Sequence, residues 1–269
     1  NMEGVISLGI GEPDFSTPSH IIEASINALK QGRTYYSPNS GLLELRQAIS
    51  KKMTDQNKIN VSENEILVTV GGGEALSLAI QSSIKTGNEV IIPSPAFVSY
   101  IPIVMLSGGN PIEVECKEEE SFILNSDILE ENITENTELL ILNSPSNPTG
   151  SVMTRSDLEK ISDIIIEYNL KVISDEVYES LIYGGKKHIS IASLNGMENN
   201  VITVNSFSKT YSMTGWRVGY LASKDPTLFD RMLKLHMYGP VCNNTFAQFG
   251  ALEALKGPQD YVEYMRSEF

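Results

Sequence analysis

Lys209 stands just past the apolar run VITVN, inside SFSKTYSMTGWRVGY (206–220), with hydroxyl residues on both sides and Arg217 a short way on. An amine at a strand end, beside hydroxyls and a guanidinium, could form a Schiff base with a carbonyl compound next to a phosphate site. A lone lysine is more often an exposed loop side chain. Two further strand exits argue against that bland reading. ELLIL runs into NSPSNPTG (143–150), which carries Asn147, and ISDEVYESLIY (173–183) places Asp175 and Tyr178 at the end of another apolar run. SNPTG by itself is ordinary turn chemistry. Open α/β sheets, however, collect ligands outside the carboxyl ends of their strands, and here three such ends offer an amide, a carboxylate and an amine.

Four more segments could complete such a site. VTVGGGEALSLAI (68–80) is a strand running through glycines into a helix, a turn whose backbone amides can hold a phosphate or simply make a tight connection. SPAFVSY (94–100) puts Phe97 at a strand end, able to stack on a flat ring or to pack in the core. TYYSPNSG (34–41) offers Tyr36 in a loop, and GIGEPDF (9–15) leads with Gly11 toward a helix opened by Pro18 and Ser19.

The elements that must position these residues are legible as alternating patterns. Short β-rich runs occur at 65–70, 89–93, 111–115, 138–143, 171–176, 201–206 and 218–223, several of them continuously apolar. Strands buried on both faces of a mainly parallel sheet read this way. GEALSLAIQSSIK (73–85) and RSDLEKISDIIIEY (155–168) carry apolar residues at helical spacing. The expected fold class is α/β, a three-layer α/β/α sandwich around a mainly parallel sheet, with no internal repeat.

Composition narrows the function classes. The chain has 269 residues, 41% hydrophobic and 20% charged, and 20 Lys+Arg against 34 Asp+Glu give a formal charge of −14. That field repels phosphate backbones and anionic membrane surfaces, so neither a nucleic-acid nor a membrane partner is expected, and any phosphate needs a local site. The amino end lacks a secretory layout and no run approaches a membrane span, so a cytoplasmic location is expected. Cys116 and Cys242 lack metal-ligand spacing and are read as reduced thiols, with no metal expected.

Taken together, the motifs resemble the class I/II aminotransferases among the fold-type I pyridoxal-phosphate enzymes, the prokaryotic aspartate and aromatic branch, from Ile6 to about Leu255. The resemblance implies pyridoxal 5'-phosphate as cofactor and ping-pong transfer of an amino group from an amino acid to a 2-oxo acid such as 2-oxoglutarate. It implies Lys209 as the Schiff-base lysine and proton carrier, Asp175 as partner of the pyridine nitrogen, and Asn147 and Tyr178 as partners of the phenolic oxygen. Ser206, Ser208, Arg217, Gly72 and Gly73 take the places of the phosphate binders, and Phe97 that of the stacking aromatic. Gly11, Phe97 and Asn147 correspond to substrate-side positions. Tyr36 matches a tyrosine that reaches the phosphate of a neighbouring subunit, which implies a homodimer.

The same resemblance sets expectations for organisation and specificity. Residues 1–22 correspond to the first segment of a small domain and 23–269 to the large cofactor domain. Relatives continue for roughly another third of their length, with an arginine for the substrate's α-carboxylate, so a chain cut short at its carboxyl end is expected. The donor is expected to be aspartate, an aromatic amino acid or a broad range; a fixed cation for acidic side chains is not evident at Gly73, and GLLELR (41–46) with PAFVSY and HMYGPVCNNTFAQ (236–248) looks like archaeal-type aromatic enzymes, pointing within that range to aromatic or broad donors. A β-lyase, a decarboxylase or a cofactor-binding regulatory fragment are the alternatives, since fold does not fix chemistry.

Overall fold

The computed structural model describes residue 9 and residues 11–269; residues 1–8 and Ile10 lie outside the described set, and with them Ile6 and part of the segment expected for 1–22. All seven apolar runs form strands: β1 (Ile66–Thr69), β2 (Glu89–Ser94), β3 (Asn110–Glu115), β4 (Thr137–Asn143), β5 (Lys171–Asp175), β6 (Val201–Ser206) and β7 (Gly219–Ser223). They make one sheet in the order β1-β7-β6-β5-β4-β2-β3. The pairings from β3 through β6 are parallel, and β7 runs antiparallel to both β6 and β1.

Ten α-helices among the described residues surround it: α1 (Ser19–Lys30), α2 (Leu43–Lys52), α3 (Gly71–Ser83), α4 (Tyr100–Leu106), α5 (Ser126–Glu131), α6 (Arg155–Glu167), α7 (Phe207–Thr210), α8 (Pro226–Tyr238), α9 (Thr245–Lys256) and α10 (Asp260–Glu268). Strand residues feed two apolar clusters by alternation. Ile66, Val68, Leu140, Leu142 and Val172 face one cluster with Leu45 and Ile49 of α2 and Leu158 and Ile161 of α6. Leu67, Leu139, Ile141 and Ile173 face the other with Leu76 and Ile80 of α3 and Leu228 and Met232 of α8. Side chains that alternate into two separate cores make three layers, and each fully buried Leu or Ile contributes about 1.5–3 kcal/mol of transfer free energy.

Local chemistry starts the helices where the sheet needs them. Thr154 and Asp157 form a reciprocal capping box on α6, and Asp225 accepts from the Thr227 and Leu228 amides ahead of α8, with Pro226 at its first turn. In the parallel register Asn143 pairs with Asp175 and Asp175 with Val204, so the exits of β4, β5 and β6 lie side by side. No helix among the described residues is long and apolar enough to cross a membrane.

Candidate active site

Asp175 closes β5 and is 5% exposed. The Tyr100 hydroxyl donates to its Oδ2 at 2.6 Å and the Val177 amide to its Oδ1 at 3.2 Å. Burial raises its carboxyl from the usual 3.8 to about 6, against the lowering effect of those two hydrogen bonds. A carboxylate so desolvated calls for a cationic ligand, and no ion pair to it occurs among the described residues. The neighbouring strand exit is tied to it. Asn143 donates through Nδ2 to the Asp175 carbonyl at 3.0 Å and accepts the Asn147 amide on Oδ1 at 2.7 Å. Asn147 then reaches Tyr178 with Nδ2 to Oη at 3.4 Å, and burial raises the Tyr178 hydroxyl, with the Asp175 charge adding to it.

Lys209 lies on α7, directly beyond β6. Its Nζ donates to the Gly11 carbonyl and sits 6.0 Å from the centre of the Tyr178 ring. Burial lowers its ammonium and the Arg217 charge lowers it further, while the Glu12 carboxylate opposes them. Gly11, Glu12, Pro145, Tyr178 and Lys209 line a cavity of about 430 Å³ that also touches Ile182 and Lys186.

Beside this cavity lies a set of donors. Ser206 is the N-cap of α7: its Oγ accepts the Ser208 amide at 3.2 Å and donates to the Ser208 hydroxyl at 3.0 Å. Arg217 precedes β7, exposed, with Nη1 donating to the Thr214 carbonyl at 2.9 Å. Because β7 is antiparallel to β1 and β6, its start, the end of β6 and the end of β1 share one edge. At that edge Gly71 opens α3 with φ +74°, and a Cβ there would come within 2.3 Å of the Arg217 Nη2. Gly219 faces the same crossing, where a Cβ would meet the Gly71 carbonyl carbon at 2.6 Å. Gly71 needs glycine for its left-handed backbone, and Gly219 for its close approach to the Gly71 backbone. Gly72 backs onto Ser206, with 3.4 Å from a built Cβ to the Ser206 Cβ, while Gly73 faces open space.

The structure thus gathers Gly11, Asn147, Asp175, Tyr178, Ser206, Ser208, Lys209, Arg217 and Gly72 around one edge of the sheet. Phe97 joins them indirectly, its ring edge-to-face with Tyr100 at 5.6 Å between centroids. Tyr36 is 84% exposed and does not line the cavity of its own chain. Three participants escape the sequence reading. Gly71, rather than Gly73, meets Arg217. Tyr100 holds Asp175, and its helical spacing three positions after Phe97 was the available signal. Asn243, 2% exposed, donates to the Thr69 carbonyl and, at 3.2 Å, to the Arg217 carbonyl, fastening the edge together; only its place in VCNNTFAQ hinted at a role.

A carboxylate seeking a cation, an amine in the middle, and serine hydroxyls with a guanidinium beside glycine amides form a donor set that fits pyridoxal phosphate, which carries a basic ring nitrogen, an aldehyde and a phosphate.

Comparison with known proteins agrees. Residues 3–269 match the family model described as aminotransferase class I and II. The chain is 52% identical over 271 residues to the aspartate aminotransferase of Pyrococcus abyssi, covering 100% of this chain and 69% of that protein. It is 48% identical to aromatic-amino-acid aminotransferase 2 of Thermococcus litoralis, again over 100% of this chain and 69% of the relative. The crystal structure of the aromatic aminotransferase from Pyrococcus horikoshii superposes with a TM-score of 0.96 at 51% identity, covering 99% of this chain and 72% of that one. From fold, donor set and likeness together, the chain belongs to the class I and II aminotransferases and is a pyridoxal-phosphate-dependent enzyme of the fold-type I α/β architecture.

Proposed function

We propose that the strand-end cluster is where this aminotransferase holds its cofactor, with Lys209, Asp175 and Tyr178 as its catalytic residues and aromatic or broad amino acids as donors to a 2-oxo acid such as 2-oxoglutarate. The observation that carries the reading is the meeting of Asp175, Lys209 and the Arg217–Ser206–Gly71 edge at adjacent strand ends. Pyridoxal phosphate, when bound, supplies an electron sink that makes the α-proton of an amino acid acidic. Asp175 would give the ring nitrogen an anionic partner in a buried setting and so favour its protonated form. Lys209 moves the substrate proton at its Nζ, and burial lowers its ammonium, which favours the free amine over the charged form. Tyr178 and Asn147 hold the phenolic oxygen, while Ser206, Ser208, Arg217 and the amides of Gly72 and Gly73 anchor the phosphate. Phe97, packed edge-to-face on Tyr100, would stack on the ring, and Gly11 lines the substrate side through the carbonyl that Lys209 reaches.

The donor preference is supported by the cavity wall, where Leu181, Ile182 and Tyr183 give apolar surface. Adding pyridoxal phosphate to the purified protein is expected to produce a visible band that phenylalanine converts to the pyridoxamine form, without release of ammonia. A band that no amino acid moves overturns the donor assignment, and ammonia released without an oxo acid favours a β-lyase.

Residues 1–22 are proposed to belong with a small domain, supported by the Gly11 carbonyl, which accepts from Lys209 Nζ at the site entry. A homodimer is proposed as the working form, with Tyr36 serving the neighbouring site, supported by its 84% exposure away from its own cavity. Sedimentation equilibrium is expected to give twice the chain mass, and a monomer at micromolar concentration counts against it.

A further inference from the structure

Behind the strand exits lies a second, almost fully buried polar cluster that the reaction does not use directly. Glu179 follows Tyr178 in the chain and its side chain is 10% exposed; Lys52, at the end of α2, is 11% exposed and pairs with its Oε1. Asn57 donates to Glu179 Oε2 at 2.6 Å and to Glu176 Oε2 at 3.2 Å, and accepts from Lys52 Nζ at 2.8 Å. Glu176, fully buried, also accepts from the Ser174 and Ser190 hydroxyls and meets His188 Nε2 at 2.9 Å. Glu176, Glu179 and His188 bring ligand-type atoms within 4.8 Å of one another. The Lys52 ammonium already faces Glu179, so the chain closes this cluster with its own cation.

One arm of the cluster leaves it. Asn205 donates from Nδ2 to Glu179 Oε1 at 2.6 Å and accepts the Ser206 amide on Oδ1 at 2.7 Å. Ser206 is the residue whose hydroxyl caps α7 and bonds Ser208, and whose β-carbon backs Gly72. We propose that Glu179, clamped by Lys52 and Asn57 and joined through Asn205 to the Ser206–Ser208 turn, is the positioning residue that holds the phosphate-binding edge in shape. This rests on the assignment of that edge to the cofactor's phosphate.

The electrostatics agree with the geometry. Burial alone would raise the Glu179 carboxyl, yet the charges of Lys52 and His188 with the Lys52 and Asn57 hydrogen bonds bring it below its ordinary range, so it is ionised and its acceptor oxygens are fixed. An ionised group at the root of a hydrogen-bond chain orients the amide beyond it, because Asn205 must present Nδ2 to the carboxylate and therefore Oδ1 to Ser206.

The test is titration of pyridoxal 5'-phosphate into the wild type, Glu179→Gln, Glu179→Ala and Asn205→Ala, read by absorbance, alongside thermal unfolding of each cofactor-free protein. Lys171→Met, which breaks the Lys171–Asp225 pair elsewhere on the molecule, is the control. Asn205→Ala and Glu179→Ala are expected to raise the cofactor Kd by about tenfold or more, with Glu179→Gln between them and the wild type because its amide oxygen still accepts from Asn205. Lys171→Met is expected to leave Kd unchanged. Variants that fold and bind with the wild-type Kd overturn the proposal and leave the cluster a purely structural one. Should Glu179→Ala fail to fold, Asn205→Ala and Glu179→Gln decide the matter alone. A wild type that takes up no cofactor overturns the site assignment, and this inference with it.

Discussion

Lys209→Ala is expected to lower turnover by at least about a thousandfold, the range in which a positioned proton carrier contributes, with a further loss from the missing covalent attachment. The side chain is half-buried, on the four-residue helix capped by Ser206, and it anchors nothing except through its Nζ contact to the Gly11 carbonyl. Its removal therefore leaves the two cores and the sheet intact. The thermal midpoint of the cofactor-free variant is expected to stay within a few degrees of wild type, and the visible band of the lysine-linked cofactor to disappear. Added methylamine is expected to restore a fraction of the activity, since a free amine can do at the same place what Nζ does. Retention of more than a tenth of wild-type turnover would show that another base moves the proton.

Asp175→Asn separates stability from function in opposite directions. The carboxyl is raised from 3.8 to about 6 in the folded chain. A group whose folded pKa is raised contributes stability that is complete below its unfolded value and is lost as pH rises through the folded one. Here the loss runs from about pH 4 to about pH 6, and two pKa units correspond to about 3 kcal/mol. Asparagine carries no charge to desolvate, and the Tyr100 hydroxyl, 2.6 Å away, can turn to accept from its amide. The cofactor-free variant is therefore expected to exceed wild type by up to about 3 kcal/mol in urea unfolding at pH 7.5, with the difference gone by pH 4. Transamination is expected to fall by about a hundredfold or more, since the ring nitrogen loses its anionic partner. A variant that is less stable than wild type at both pH values would refute the desolvation account of Asp175.

Much of this arrangement was readable in the sequence, and for definable reasons. Runs such as ELLIL and VITVN are apolar at successive positions because both of their faces enter a core, and such runs identify strands without reference to neighbours. Asn147, Asp175 and Lys209 stood out because each follows one of those runs. What escaped depends on contacts between segments distant in the chain. Tyr100 matters because α4 turns it back toward β5; its spacing from Phe97 was a hint of one shared face, but nothing within SPAFVSY says that this face meets Asp175. The Lys52–Glu179 pair joins residues 127 positions apart and reads in sequence as two ordinary surface charges. GGGE signals a helix entry, but which glycine meets Arg217 is decided by where β7 crosses.

That crossing has a consequence for how the molecule is made. Among the described residues β1 has one strand neighbour, β7, and β7 is the last strand of the sheet in chain order. During synthesis from the amino end, Ile66, Leu67 and Val68 emerge long before their strand partner exists, with only the Ser40 carbonyl, which accepts the Val68 amide at 3.0 Å, already made, while the parallel strands from β2 to β6 find neighbours as they appear. The nascent chain must therefore shelter a short, sticky edge until the segment carrying Lys209 and Arg217 has left the ribosome. The same pairing that shields this edge brings Gly71 to Arg217, so the chain becomes safe from association at the step that makes it competent to bind.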